Sequence, residues 1–580
     1  MGALYGILGA ADHSELRALG DRLAHRGREA AEWSPGRDLR LGIRGARRIV
    51  DVQEHGPVAF EGAIDNRGEI AGLLRRRDAD AVGPAQDAGL VFELVDSIGV
   101  EGLARLAGQF AVAIWHGPER RLLLARDRVG GSPLYFTATR DRFAFASEYK
   151  ALLALEGTVA RPDLDQLQVV HATGWVSPGH SCLHGIFSVA PGSSLEVRPG
   201  RMSSRRYWDP ASAPTGARGS IPLRDTLAAA LRPQVTGCGR IGVALSGGFE
   251  SALVADGASS VAEGREVHTI ATGYGPDDPA LADAARTARA VGSRHHTVIL
   301  DPADLDSLLP WTVWHLEEPA GGLDVAYLFA GAREAARHVT VIVNGLGIGE
   351  LLGSARAAGL PDRALGRLLR KPLAELHDYV ERGVPPASLG GRALKAAYYR
   401  GHDFPAARVR GAAPLPPVPD APQDWLRRLR MQSSIERLFA GAGLRLAGPW
   451  TDPHFVEIAL SLPGSRSAVA LGGMTPGDRF PDRIRMAEAL DRMAVELLSP
   501  GAVRERGFFE PGYVAALLGR PRGQPYAEER ARRIWSLLLV EIWARAFLDR
   551  RGAPPERPAP PVRLLDAAGT PQAPATSGVR

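Results

Sequence analysis

The stretch IGVALSGGFES, residues 241–251, decides the fold class of the back half of this chain. An apolar run typical of a buried strand leads into the turn Ser-Gly-Gly (246–248), and a helix opens at Glu250 and Ser251. Backbone N–H groups at such a turn favour a phosphate or pyrophosphate, because the N-terminus of a helix is the positive end of its dipole. The alternative is an ordinary tight turn with a serine cap.

The residues around this stretch alternate between helical and strand-like patterns, which predicts a doubly wound, mostly parallel sheet. The chain beyond the last predicted strand is mainly helical to about Leu548. The predicted elements are a helix to about Leu231, strand Ile241–Leu245, a helix from Glu250, strand Val267–Thr272, helix Ala280–Val291, strand His296–Leu300 and strand Val339–Val343.

The first 155 or so residues have a different organisation, with short apolar runs separated by Gly, Pro and Asp turns. This pattern is typical of strand-rich layered domains. Residues 209–220 are poor in large apolar side chains and rich in turn formers, so they are the predicted linker. The tail from residue 551 to 580 is rich in Pro, Ala and Arg, and we expect it to be disordered.

Composition places the chain among large intracellular proteins and disfavours several other classes. A length of 580 residues with 45% hydrophobic residues predicts at least two domains. The net charge is +5, but basic and acidic residues are interspersed, so no nucleic-acid surface is expected. No leader or long apolar run is visible, which predicts no membrane span, and two cysteines (Cys182 and Cys238) fit a reducing cytoplasm.

The turn SGGFES resembles the SGG-x-DS pyrophosphate loop of the asparagine synthetases and their relatives, which include β-lactam synthetases and lasso-peptide macrolactam cyclases. Other segments are similar to the same family and extend the resemblance over most of residues 1 to about 520. They are residues 108–153, HGIFSVAPGSSLEV (184–197) with RRYWDP (205–210), NGLGIGELLG (344–353) and GPWTDPHFVEIALSLPG (448–464).

The resemblance implies an α/β protein of the class B, glutamine-hydrolysing architecture. Residues 1–208 would form an α+β glutaminase-like Ntn-hydrolase sandwich. Residues 221–550 would form a doubly wound ATP-pyrophosphatase domain with a helical C-terminal part. ATP and Mg²⁺ would be bound, with Glu250 as the metal ligand. The nucleotide contacts implied by the family are Ala244, Leu245, Ser246, Gly247, Gly248, Glu250, Ser251, Thr272, Gly345 and Gly347.

The front half departs from the family at its nucleophile. The family uses a cysteine at position 2, whose own amine serves as base, and this chain has Gly2, which carries no nucleophilic atom. The substrate-binding segment NGEIYN of the family corresponds to EGAIDN, so Glu61 replaces an oxyanion-binding amide and Ala63 replaces an acid. We therefore expect no glutamine hydrolysis, and we expect His25, Arg26 and Gly27 to remain for packing.

The back half departs from the family at four positions. Glu250 stands where the family's loop has an aspartate, which keeps the carboxylate but moves it one methylene outward. Gly349 stands where a second metal-binding carboxylate is implied, with Glu350 beside it as the substitute. Leu346 stands where an acid or tyrosine would activate the incoming amine. Arg506 stands where the family has a lysine, and it can stabilise charge without transferring protons. The catalytic candidates are therefore Arg506 and Glu350.

Several conspicuous residues have structural interpretations. We expect Trp311 and Trp314 in the core. We expect Glu317, Glu318 and Asp324 in solvated loops, although such loops can also face a substrate. His295 and His296 resemble residues that open a strand in the family, and metal binding is their less expected role.

Two functions follow from the resemblance and its departures. The leading hypothesis is an ATP-dependent ligase that adenylates a carboxylate and couples it to an amine that does not come from glutamine. A macrolactam or β-lactam-type cyclase is one such enzyme, and its partners would be a small-molecule or peptide carboxylate or a precursor peptide with its processing proteins. The alternative is a catalytically silent homologue that binds a nucleotide, peptide or protein.

Overall fold

The front half of the chain consists mainly of antiparallel strands, and the back half alternates strands with helices. The computed structural model describes residues 2–9, 11–34, 38–45, 49–52, 56–75, 87–173, 176–209, 223–322, 324–348, 409–410, 431–461, 483–519, 527–556, 559–560 and 562–565.

The front half contains twelve strands among its described residues, in two six-stranded sheets. The sheet orders are β10-β8-β9-β1-β3-β2 and β12-β11-β7-β6-β5-β4. The strands are β1 Gly2–Gly9, β2 Ala30–Trp33, β3 Leu39–Gly45, β4 Val50–Val52, β5 Gly56–Ile64, β6 Gly108–His116, β7 Arg121–Arg126, β8 Tyr135–Ala138, β9 Arg142–Ala146, β10 Ile186–Ser188, β11 Ser193–Arg198 and β12 Arg201–Arg206. The helices are α1 His13–Arg22, α2 Arg67–Leu73, α3 Asp87–Ile98, α4 Tyr149–Leu152 and α5 Leu164–Thr173, with 3₁₀ turns at Ala24–Arg26 and Val100–Arg105.

The two front sheets pack face to face, as the sequence predicted for a layered domain. Leu4 and Leu41 from the first sheet share one apolar cluster with Ala113 and Leu124 from the second. The opposite face of the second sheet packs on α2 and α3 through a separate cluster. Strands with alternating side chains bury both faces in this way, which gives a sandwich flanked by helices.

The back half has one six-stranded sheet in the order β17-β16-β13-β14-β15-β18. Its strands are β13 Arg240–Leu245, β14 Glu266–Gly273, β15 Arg294–Ile299, β16 Val341–Val343, β17 Arg445–Ala447 and β18 Arg563–Leu564. Its helices are α6 Leu223–Val235, α7 Phe249–Ser260, α8 Pro279–Ala290, α9 Leu305–Leu316, α10 Asp324–Ala335, α11 Met431–Gly441, α12 Pro453–Ser461, α13 Arg483–Leu497, α14 Pro500–Arg506, α15 Pro511–Leu518 and α16 Ala527–Ala544, with a π-helical turn Arg545–Asp549 and 3₁₀ turns at Pro302–Asp304 and Pro449–Thr451.

The parallel sheet that the sequence predicted is confirmed. Strands β13 to β17 pair parallel with one another, and the predicted ends of β13 to β16 agree with the observed ends within about two residues. Helices cover both faces of the sheet. Thr272 of β14 contacts α10 on one face, and the next residue, Gly273, contacts α8 on the other. Near-continuous apolar strands are typical of sheets buried on both sides.

The predicted disorder of the tail is wrong for the part that the structure describes. Arg563–Leu564 forms β18, which pairs antiparallel with β15. The Arg563 guanidinium contacts Asp301 and Asp304. A pattern rich in Pro and Arg gives no local sign of this pairing, because the stabilising partners lie more than 250 residues earlier in the chain.

The two halves share one continuous hydrophobic core. The indole N–H of Trp543 in α16 donates to the hydroxyl of Tyr149 at 2.8 Å and to the carbonyl of Glu317 at 2.9 Å. The core prediction for Trp314 is confirmed, since its side chain is 4% exposed, and Trp311 packs against the same core while partly exposed. Among the described helices, none has both the length and the apolar character that a membrane span requires.

Candidate functional site

A cleft of about 550 Å³ opens at the carboxyl ends of the parallel strands in the back half. Ligands bind at this edge of open α/β sheets, because loops and helix N-termini converge there. The residues that line the cleft are Ala244, Leu245, Ser246, Glu250, Ser251, Ile270, Thr272, Tyr327, Leu328, Gly331, Ala332, Ile342, Asn344, Gly345, Leu346 and Phe439.

The turn between β13 and α7 has the geometry of an anion-binding turn. Gly247 has a φ of +75°, and a Cβ there would lie 2.4 Å from the carbonyl oxygen of Ala280. The Ser251 hydroxyl accepts the N–H of Ser246 at 3.1 Å and donates to the carbonyl of Gly248 at 2.9 Å. These bonds fix the turn and leave the first N–H groups of α7 directed along the helix axis, where an anion is favoured.

A second glycine turn, which follows β16, meets the first one. A Cβ on Gly345 would lie 2.9 Å from the carbonyl oxygen of Glu250, so the second turn contacts the start of α7. The N–H of Leu346 donates to Asn344 Oδ1 at 2.8 Å. The other end of that amide, Asn344 Nδ2, is buried and has no hydrogen-bond partner among the described residues.

The orphaned amide of Asn344 suits a ligand with acceptor oxygens. A buried N–H donor without a partner costs about 1–3 kcal/mol, and a bound acceptor would remove this cost. The anion turn, the close glycine contacts and this free donor together fit the phosphates of a nucleotide. Glu250 is the carboxylate in the described part of the cleft lining, and carboxylate oxygens are ligands that magnesium prefers.

One wall of the cleft is apolar, and the sequence reasoning did not predict it. Ile270 from β14, Tyr327 from α10 and Phe439 from α11 contribute to this wall. Helix α10 lies close to β14 because Gly331 carries no side chain, and a Cβ there would lie 2.6 Å from Thr272 Oγ1. A glycine inside an otherwise helical pattern was the available signal for this close approach.

The structure brings most of the predicted nucleotide contacts together. Gly247 and Gly248 lie in the turn itself, and Gly347 lies in the second turn with a φ of +92°. Their contact with a nucleotide stays a prediction. The predicted residues that line the cleft are Ala244, Leu245, Ser246, Glu250, Ser251, Thr272 and Gly345. Gly349 and the catalytic candidate Glu350 lie outside the described residues.

The other catalytic candidate, Arg506, is not among the residues that line this cleft. Its guanidinium forms paired hydrogen bonds with Glu541 at 2.9 and 3.1 Å and with Asp549 at 2.9 and 2.8 Å. The hydrogen bonds to Asp549 raise the pKa of Arg506 above its usual value. In this structure Arg506 therefore joins the end of α14 to α16 and the turn after it, in place of the expected position beside the phosphates.

A second cavity, of about 590 Å³, lies between the two halves at the position of the lost nucleophile. Gly2, Glu61 and Ala63 line it together with Glu436 and Arg445 from the back half. The Glu61 carboxylate accepts a hydrogen bond from the Ser147 hydroxyl. Burial raises the pKa of Glu61 to about 7, against the effect of the Arg26 guanidinium. This position thus holds an acid rather than an amide donor.

Arg26 does more than the packing that the sequence predicted. It is fully buried, donates to Glu148 at 2.6 Å and forms a two-pronged contact with Glu436 at 2.8 and 3.0 Å. Glu436 lies in α11, so this arginine connects the front half to the back half. Burial alone would raise the pKa of Glu148, but His25, Lys150 and Arg26 together hold it well below its usual value.

The prediction that Glu317 and Glu318 are solvated is wrong. Both are buried, and Glu317 accepts the backbone N–H groups of Tyr149 and Lys150 at 3.0 and 2.7 Å. Glu318 accepts the hydroxyl of Tyr135 at 3.1 Å. These carboxylates therefore belong to the interface between the halves, and both accept donors from the distant front domain, while Ser434 of α11 also donates to Glu318.

Comparisons with known proteins agree with this architecture. The sequence model of a glutamine amidotransferase domain matches residues 1–208, and that of asparagine synthase matches residues 222–470. The chain therefore joins an Ntn-type glutamine amidotransferase domain to an ATP-pyrophosphatase domain of the asparagine synthase type. It belongs to the asparagine synthetase family, with the class B order of domains.

Relatives cover the chain to different extents. A putative glutamine-hydrolysing asparagine synthetase of Mycobacterium bovis is 25% identical, over 87% of this chain and 87% of that protein. Asparagine synthetase 1 of Bacillus subtilis, named as glutamine-hydrolysing, is 27% identical over 59% of this chain and 56% of that protein. Among solved structures, glutamine phosphoribosylpyrophosphate amidotransferase of Bacillus subtilis has a TM-score of 0.27 at 14% identity and covers 51% of this chain and 81% of that one.

Proposed function

We propose that this protein is an ATP-dependent amide-forming ligase that joins a carboxylate to an amine without hydrolysing glutamine. The observation that carries the proposal is the convergence of the Ser-Gly-Gly turn, Glu250 and the orphaned Asn344 amide on one cleft. The asparagine synthase domain, matched over residues 222–470, supports the use of ATP.

Different residues of the cleft would bind different parts of the substrates. ATP with Mg²⁺ would supply activation of the carboxylate by adenylation, with pyrophosphate as the leaving group. The N–H groups of the turn at 246–248 would hold the pyrophosphate end, and Glu250 would hold the magnesium ion. Backbone groups of Ala244 and Thr272 would contact the adenine, and the apolar wall would exclude water.

The amine would come from outside the front domain. Gly2 offers no nucleophile, and Glu61 is an acid where the family has an oxyanion-binding amide. Ammonia, an amine of the same substrate or a peptide N-terminus are the candidate nucleophiles. A macrolactam or β-lactam-type cyclase acting in the cytoplasm on a small-molecule or peptide carboxylate, with a precursor peptide and its processing proteins as partners, fits this loss best.

A second candidate function is a catalytically silent homologue. Two observations favour it: Arg506 is held by Glu541 and Asp549, and the apolar Leu346 lines the cleft where the family has an acid or tyrosine. Such a protein would bind a nucleotide or partner in the same cleft without turnover.

We expect Ser246→Ala and Glu250→Ala each to weaken Mg-ATP binding by roughly 10- to 100-fold, because each removes a contact worth about 1.5–3 kcal/mol to a charged ligand. Isothermal titration calorimetry measures this change. The matched control is Ser259→Ala at the far end of α7, where the hydroxyl donates to the carbonyl of Val291 at 3.1 Å. Unchanged affinity in both cleft variants would place the nucleotide elsewhere.

Turnover separates the two candidate functions. The ligase should release pyrophosphate, or exchange labelled pyrophosphate into ATP, when candidate acids are added. Mg-ATP binding without exchange for any acid, including a peptide encoded beside the gene, would indicate the silent homologue.

We expect Gly2→Cys to remain inactive as a glutaminase even when its N-terminal amine is free. The thiol would be restored, but Glu61 would still replace the oxyanion-binding amide of the family and Ala63 would still replace its acid. Glutamate release from glutamine measures the activity. The variant that also carries Glu61→Asn and Ala63→Glu is the comparison, and activity in Gly2→Cys alone would contradict the assignment of these positions.

A further inference from the structure

Three histidines meet at the opposite end of the parallel sheet from the cleft. His268 lies near the start of β14, His296 lies in β15 and His338 follows α10. One ring nitrogen of each histidine lies within 4.8 Å of the corresponding nitrogens of the other two. His268 Nδ1 and His296 Nε2 are 3.0 Å apart. The cluster is separate from the cleft, because His268 precedes Thr272 by four residues, or about 13 Å along the strand.

Two carboxylates lie beside the outer rings of this cluster, and one of them, Glu334, forms a hydrogen bond with its ring. Glu266 Oε2 lies 3.0 Å from His268 Nε2, and Glu334 Oε1 lies 2.7 Å from His338 Nε2. A carboxylate that holds the proton on one ring nitrogen leaves a lone pair on the other nitrogen. Metal-binding histidines are commonly oriented by such carboxylates.

The carboxylate of Glu334 gives an independent sign of a missing cation. Its residue is 1% exposed, and Oε2 has no hydrogen-bond partner in the part of the chain that the structure describes. The nearest cation to this oxygen is Arg337, whose Nε is 3.8 Å away and whose side chain is 41% exposed. Burial of a carboxylate with such weak pairing is costly, and a positive ion bound by the neighbouring imidazoles would reduce that cost.

We propose that His268, His296 and His338 bind one zinc ion, with water as the fourth ligand and with Glu266 and Glu334 holding the rings in place. Three imidazoles are a common zinc ligand set. The nitrogen separation of 3.0 Å is close to the roughly 3.3 Å between two ligands of a tetrahedral zinc ion. The rings are stacked within 18°, so binding requires the His296 ring to turn about its Cβ–Cγ bond while Glu334 holds the His338 ring.

The ion would have a structural role. It would tie β14 and β15 to the end of α10, and both β14 and α10 contribute to the wall of the cleft. A wall fixed at its base holds Tyr327 and Thr272 at a constant separation. The zinc site itself does not depend on the proposed ligase activity, since none of its residues lines the cleft.

The experiment uses the full chain after dialysis against a chelator. Titration with zinc sulfate in a calorimeter should show one site per chain, and Co²⁺ bound there should give the visible absorption of a tetrahedral nitrogen-rich site. His296→Ala and His338→Ala should each lose more than about 100-fold in affinity, and Glu334→Gln should lose about 10- to 100-fold. These side chains are only partly buried or lie at the end of a helix, and far-UV circular dichroism checks that the variants fold.

His295→Ala is the matched control. This neighbour of His296 in β15 has its side chain on the other face of the sheet, where Nδ1 lies 2.9 Å from Thr269 Oγ1. Zinc affinity should be unchanged in this variant. Absence of a stoichiometric zinc site in the unaltered chain, or equal affinity in His296→Ala and His338→Ala, would overturn the proposal.

Discussion

Gly247→Ala is expected to reduce the affinity for Mg-ATP by at least about 100-fold, or about 2.7 kcal/mol. Gly247 has a φ of +75°, a conformation that costs a residue with a Cβ about 1–2 kcal/mol. The added carbon would also lie 2.4 Å from the carbonyl oxygen of Ala280, which belongs to the backbone of α8 and cannot move aside alone. The turn must therefore shift, and its N–H groups lose their common direction.

The same calorimetric titration tests Gly247→Ala beside Gly275→Ala. Gly275 follows β14 in the same domain, has ordinary backbone angles and has no atom within 4 Å of the position that a Cβ would take. Alanine should be tolerated there with unchanged affinity. If Gly247→Ala binds Mg-ATP as tightly as Gly275→Ala does, the Ser-Gly-Gly turn does not hold the nucleotide phosphates, and the proposed function loses its main support.

Arg26→Met is expected to lower the free energy of unfolding by about 3–5 kcal/mol. Methionine fills a similar volume but leaves Glu436 buried without its cation, whereas Glu148 keeps His25 and Lys150 as partners. Removal of one partner from a buried ion pair is costly because the remaining charge has neither water nor a counter-ion. The loss should also uncouple the two halves, since Arg26 joins Glu436 of α11 to the front domain.

Urea unfolding followed by tryptophan fluorescence measures this loss, with Arg120→Ala as the control. Arg120 forms an ion pair with Asp38 in which both side chains are more than half exposed, so its removal should change stability little. Because Arg26 helps to lower the pKa of Glu148, its stabilising effect is present above the usual carboxyl pKa and is lost as the pH falls. A loss of less than about 1 kcal/mol in the free energy of unfolding at pH 7 would contradict this account. A loss that becomes larger in acid would contradict it too.

The buried charges between the halves connect the front domain to the back domain. The carboxylates of Glu317 and Glu436 in the back half are bound by Tyr149 and Arg26 of the front half. Deletion of the front domain would expose these groups and the shared hydrophobic core. The front half thus has a structural role that does not depend on glutamine.

Much of the back half could be predicted from local sequence. The ends of β13 and β14 and the turn at 246–248 depend on apolar runs, glycines and a helix start that lie within a few residues of one another. The family resemblance supplied the sandwich of the front half, for which local patterns gave only short strands and turns.

The predictions that differ from the structure concern residues whose partners are distant in sequence. Glu317 looked like a loop acid, but its donors are the N–H groups of Tyr149 and Lys150 in the other half. Arg506 was placed by its neighbours in sequence, whereas its contacts are with Glu541 and Asp549.

By itself, the sequence determined the order of domains, the parallel strands, the anion turn and the absence of a nucleophile at Gly2, because each of these is a property of neighbouring residues or of a single side chain. The tertiary structure alone decided the apolar wall with Phe439, the buried ion network around Arg26 and the meeting of His268, His296 and His338. These features depend on which distant segments pack together. Burial then strengthens the electrostatic interactions of a polar side chain, because it removes the water that would otherwise screen them.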